Sequence, residues 1–395
     1  MHSICLTVIV PPRSQRNRLL RTWLAVLLAC VSVASADEKP ILMRLETGEA
    51  PSPTSVVGRI VARNDAGQLL LEEPSGRLHS HTIKPTDTLT ELQQPFQRLT
   101  ADEMAAHLLK ETGAGFRIHR TDNFLICSDA SDLYTDFCSR LLQRVATEYQ
   151  EFFEGSEVRV LDTPADLPVI IFRNSETFQA FAKQQHPTTD FSDVPGYYSV
   201  RDNQMLIAAV SGDREFRTNS QLLRELRKNT RQIETIVHEA IHQLAFNTGL
   251  QMRYADNPLW LSEGLAVYFE HAAGRGTELW IQPGGVNRIH LPGFKAASAS
   301  GGLRLPLSQL ISSDAAFQSP DQLADAYAES WALAYYLVRS DRKAFDKYLS
   351  ALQNRKPLEA VDATTRLREF EAATGASLAE IEERLVKHMS RVRVR

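Results

Sequence analysis

Apolar and polar positions follow two different rhythms along this 395-residue chain. In residues 56–84, "VVGRIVARNDAGQLLLEEPSGRLHSHTIK", short aliphatic runs are cut by turn signals at Asn64–Gly67 and Pro74–Gly76. That spacing predicts three short strands, a β-meander forming a small barrel-like module over 56–95. His79 and His81 share one face of its last strand, which reads as an exposed face. From residue 100 the period lengthens. Residues 100–111 read as a helix, with Thr100 as cap and Glu103 completing a capping box. "GFRIHRTDNFLICSD" (115–129) reads as a strand pair, and 132–153 as a long amphipathic helix with apolar residues at helical spacing. "LPVIIFRN" (167–174) is a buried-strand run, 175–185 a capped helix, and 195–210 two strands turning at Asp202-Asn203. From 219 the pattern is mainly helical, interrupted by the small-residue loop "ASASGG" (297–302). Strands mixed with helices, then helices, predict the α+β class, and no internal repeat is visible.

The first 55 residues obey neither rhythm. Arg13, Arg16, Arg18 and Arg21 precede the apolar run "WLAVLLACVSV" (23–33), and Ala34-Ser35-Ala36 fits a small-residue cleavage site. Residues 1–36 therefore read as an export signal, too short in its apolar run to span a bilayer comfortably. "LLAC" (27–30) also resembles a lipobox, which would attach the chain to a membrane through Cys30, although Leu28 is not the usual small residue. Residues 37–55, with "TGEAPSPTS", read as a linker, and the main domain as 100–393.

Composition adds limits. With 43% apolar and 23% charged residues, a core of normal size is expected. The formal charge is −4, and losing residues 1–36, with four arginines and no acids, takes it to −8. Neither value, nor any basic stripe, suggests a nucleic-acid partner. The exported chain would keep only Cys127 and Cys138, which an oxidising compartment would allow to form a disulfide; two buried thiols are the other reading.

The candidate chemistry lies in "TIVHEAIHQLAF" (235–246). On a helix, residues four apart share a face, so the imidazoles of His238 and His242 can reach one ion. Glu239 points beside that ion, placed to take a proton from water. This is HExxH spacing, two zinc ligands and a general base. Ile233, Ile236, Val237, Ile241 and Leu244 make the helix largely buried, and unpaired polar groups would be costly there. Hydrogen-bonded polar residues are the alternative. A third ligand must come from elsewhere. Glu263, in the apolar helix "PLWLSEGLAVYFEHAAG" (258–274), wants a counter-charge. Glu270 follows two turns later and can either hold a metal-bound histidine in its tautomer or face solvent.

"HEAIH" followed by "WLSEGLAVYFE" resembles the gluzincin metallopeptidases, and most of all the M1-type aminopeptidase pattern. Residues 115–390 are similar to a family of secreted bacterial proteins of unknown function grouped with the peptidase MA-like proteins. "VPGYYSVRDNQMLI", "HEAIHQLAFNTGL", "PLWLSEGLAVYFE" and "YAESWALAYYL" carry the likeness. The resemblance implies a zincin-like domain in which His238, His242 and Glu263 bind Zn²⁺ and Glu239 is the base, acting on a peptide or protein substrate. It also implies an oxyanion-stabilising tyrosine downstream: Tyr327, with Tyr335 or Tyr336 as alternatives. The G-x-M-E-N motif that grips a free amino terminus does not precede HExxH, so the resemblance does not extend to aminopeptidase action. Nor does Val267 match the aspartate partner of thermolysin-like enzymes. The competing reading is a secreted binding or scaffold protein without catalysis.

Overall fold

The structure, a computed structural model, describes residues 40–48, 54–209, 216–271, 278–299 and 302–394. The expected export signal, with Cys30, lies outside these residues, as do residues 37–39 and 49–53 of the expected linker. The chain divides into two compact units that meet in sequence at Arg98 and Leu99.

In the leading unit the strands are β1 (Ile41–Thr47), β2 (Thr54–Arg63), β3 (Gln68–Glu72), β4 (Leu78–Thr82) and β5 (Thr88–Pro95). They form one antiparallel sheet in the order β4-β3-β2-β1-β5. Two strands are additions to the sequence reading. Residues 41–47, expected as linker, are β1: Met43 and Leu45 alternate inward against Leu69, Leu71 and Leu89, a period-2 pattern masked by the flanking Pro and Ser residues. β5 is polar along most of its length, and its pairing with β1 rests on the backbone. His79 and His81 are not idle surface groups; they meet Glu73 at 2.6 Å and Asp87 at 2.7 Å.

The second unit opens with α1 (Ala101–Thr112), whose Thr100–Glu103 capping box is present as expected. There follow β6 (Arg117–Arg120), β7 (Phe124–Ser128), α2 (Asp132–Phe153), β8 (Leu167–Phe172), α3 (Ser175–Gln185), β9 (Gly196–Ser199) and β10 (Gln204–Ala208). The sheet order is β6-β7-β8-β10-β9, with β8 parallel to β7 and β10, and β6 and β9 antiparallel at the two edges. The turn between β9 and β10 uses Asn203 at φ 57°, a left-handed position asparagine tolerates.

The rest is helical: α4 (Asn219–Lys228), α5 (Arg231–Asn247), α6 (Leu259–Phe269), α7 (His290–Ala299), α8 (Leu307–Ser312), α9 (Leu323–Ser340), α10 (Arg342–Leu352), α11 (Ala363–Thr374) and α12 (Leu378–Arg391). The fold is α+β, strand-rich at its start and helical at its end. Of the expected loop at 297–302, Ala297–Ala299 instead form the last turn of α7, and residues 300–301 lie outside the described residues. A single core runs from the α2 face of the sheet through α5, α6 and α9.

Cys127 and Cys138 are free thiols. On β7, Phe124 and Ile126 face the core that holds Cys138, whereas Cys127 alternates to the other face and meets Thr112 of α1 at 3.5 Å. The sheet lies between the two sulfurs, so the disulfide reading is replaced by two buried thiols. Burial pushes the Cys138 thiol up to about 12.

Candidate metal centre

Helix α5 backs the centre. Apart from the half-buried Glu234, its residues from Gln232 to Ala245 are buried, so it lies between the sheet and α6 rather than on the surface. Gly196 of β9 permits a close approach: a Cβ there would lie 2.8 Å from the Leu206 carbonyl oxygen and 3.3 Å from the Thr235 methyl. Two turns further on, Gln243 ties α5 to the same sheet, donating to the Pro168 carbonyl at 2.9 Å. Helix α6 is buried from Trp260 to Phe269 and apolar apart from Ser262 and Glu263, as suits a helix enclosed by others. Its first N–H, from Leu259, is accepted by Asp314 at 3.0 Å, and its last carbonyl, Phe269, accepts from the Trp280 indole at 2.7 Å.

These helices bring His238, His242 and Glu263 together. Their ligand atoms all lie within 4.8 Å of one another, and each residue is 1–2% exposed. The two Nε2 atoms are 3.2 Å apart, and Glu263 reaches them at 3.2 Å and 3.7 Å. Two buried imidazole nitrogens and a buried carboxylate aimed at one point are costly without a cation between them and form a donor set that suits one. Burial alone would raise the Glu263 carboxyl; His242 and His238 outweigh it and hold it at about 2.

Glu270, immediately after α6, places Oε2 3.0 Å from His238 Nδ1. This leaves His238 Nε2 for the cluster, the arrangement in which an outer carboxylate sets a ligand's tautomer. Glu239 is wholly buried, and its Oε2 accepts the backbone N–H of Tyr198 at 2.8 Å. The general-base candidate is thus pinned to the edge strand.

Tyr327 lies in the second turn of α9 rather than at its start, nearly parallel to the His290 ring with centroids 6.4 Å apart. Burial depresses His290, with Glu270 opposing and His238 reinforcing, which places His290 within electrostatic reach of the cluster. Tyr335 and Tyr336 instead pack against His388. Four contributors escaped the sequence reading. Tyr198 acts through its backbone and leaves no side-chain signal. Asn287 and His290 sit in or beside an aperiodic stretch. Glu234, one turn before His238, is pushed up to about 7 by burial and by Glu270; its i, i+4 spacing to His238 was the available clue.

A family profile described as a protein of unknown function (DUF1570) matches residues 232–359, from the start of α5 to beyond α10. It covers His238, Glu239, His242, Glu263, Glu270 and Tyr327. No curated protein matches the chain. No described helix is long and apolar enough to cross a membrane.

Proposed function

We propose that this chain is an exported Zn²⁺-dependent peptidase. The observation that carries the reading is the buried convergence of His238, His242 and Glu263 beside a carboxylate, Glu239, on the same helix. His238 and His242 through Nε2, with Glu263, would hold the ion. When bound, Zn²⁺ supplies a Lewis acid for a carbonyl and a water acidic enough to ionise near neutral pH. Glu239, held by Tyr198, accepts a proton from the attacking water and returns it to the leaving amine. Tyr327, steadied against His290, donates a hydrogen bond to the developing oxyanion. β9 is the sheet edge that runs beside Glu239, and an extended substrate pairs along it by β-addition. Export rests on residues 13–36 of the sequence alone.

The test is purified protein of measured zinc content, incubated with a diverse peptide library beside Glu239→Gln. Cleavage by the native chain, reduced by roughly 10²-fold or more in the variant, is expected for loss of a general base. Stoichiometric zinc with no cleavage of any peptide would overturn the reading in favour of a binding protein.

A further inference from the structure

One residue outside the sequence-predicted set joins the cluster to the next helix. Asn287 is 5% exposed, and its side-chain amide is used at both ends. Nδ2 donates to Glu270 Oε1 at 3.0 Å. Oδ1 accepts the backbone N–H groups of Ile289 at 2.9 Å and His290 at 3.0 Å, capping the entry to α7. The other Glu270 oxygen holds His238 Nδ1. A continuous chain therefore runs from the start of α7 through Asn287 and Glu270 to His238.

We infer that Asn287 is a positioning residue for the metal centre, fixing Glu270 and, through it, the tautomer and ring orientation of His238. Glu270 is the C-cap residue of α6, just past its last helical turn. A glutamate side chain in that place has several rotamers to lose. Gripped at one oxygen only, it could turn away from His238; gripped at both, it has one orientation. Asparagine suits the task because its amide donates and accepts at once, linking a carboxylate to a helix start without adding charge. The same contact sets where His290 begins α7, and so where it meets Tyr327.

The inference rests on the proposed metal binding but not on peptide hydrolysis, so its test reads metal directly. Asn287→Ser keeps an oxygen able to cap α7 and is too short to reach Glu270; if it does not fold, Asn287→Gly, also tolerated at caps, replaces it. Zn²⁺ affinity by chelator competition and the absorption spectrum of the Co²⁺-loaded protein are compared for native, Asn287→Ser, Glu270→Ala, the double variant and His238→Ala. Loss of an outer partner predicts affinity lower by several-fold to about tenfold in Asn287→Ser, with an altered Co²⁺ spectrum. The double variant should bind no more weakly than Glu270→Ala, since both act through one contact. Native-like affinity and spectrum in Asn287→Ser, or losses that add in the double variant, would overturn the inference and reduce Asn287 to a helix cap. If native protein binds Zn²⁺ no better than His238→Ala, the metal reading itself falls and takes the inference with it.

Discussion

A Cβ placed on Gly264 would lie 2.6 Å from the carbonyl oxygen of Ser330. Helices α6 and α9 therefore touch backbone to backbone one residue beyond Glu263. On an exposed helix, Gly→Ala stabilises by about 1 kcal/mol. Here Gly264→Ala should do the opposite, costing about 1–3 kcal/mol by forcing the helices apart. Denaturant unfolding of the metal-free protein checks the sign, and a stabilised variant would contradict the packing described.

The buried cluster predicts a ligand-dependent stability. Zn²⁺ added to metal-free protein should raise the melting temperature, gaining about 2.7 kcal/mol at a hundredfold excess over the dissociation constant. His242→Ala should abolish the shift, since His242 supplies one of the three ligand atoms. An equal shift in both proteins would place the ion elsewhere.

Glu329 gives a pH dependence. It is 1% exposed and accepts the N–H groups of Arg304 at 2.8 Å and Leu305 at 3.1 Å. Burial pushes its carboxyl up to about 8 from an ordinary 4.5, against those N–H groups and with help from Asp325 and Glu382. Between these values the unfolded chain has released a proton that the folded chain still holds. Stability should therefore fall as pH rises from 4.5 to 8, be free of this cost below that window, and carry all of it above. Glu329→Gln should flatten the decline, by at most about 5 kcal/mol. Parallel native and variant profiles would refute this.

Arg366, 3% exposed, binds Asp256 through Nε at 3.0 Å and Asp314 through Nη1 at 3.0 Å. Arg366→Met strips the cation from the partly buried Asp314, while Asp256 keeps Arg355 at 3.3 Å, and should cost about 1–3 kcal/mol. Adding Asp314→Asn to that variant should recover part of the loss. Chemical denaturation of the three proteins decides it.

The helical spacing of His238 and His242 and the apolar setting of Glu263 were legible because periodicity determines which side chains share a face. Glu270 was legible for the same reason. The α+β order, the α1 capping box and the limits of α2 and α3 followed from turn and cap chemistry. What escaped is what periodicity does not encode: the Tyr198 N–H, the double use of the Asn287 amide, and the α6–α9 approach at Gly264. β1 was lost among Pro and Ser residues. The cysteine pair stayed open in sequence because only the alternation of β7, seen against both neighbouring layers, places the two sulfurs on opposite faces.

The anchoring of α6 has one more consequence. Its first N–H rests on Asp314, and Asp314 is neutralised by Arg366, which lies past the residue-359 limit of the family match. At the other limit, the sheet that backs α5 lies wholly before residue 232. The matched stretch thus carries every ligand but neither of the supports that aim them. An excised 232–359 fragment would be a chemical unit without being a folding unit, and a cut meant to isolate the centre should begin no later than α1 and run through α12, whose Ile381, Leu385 and Met389 complete the core.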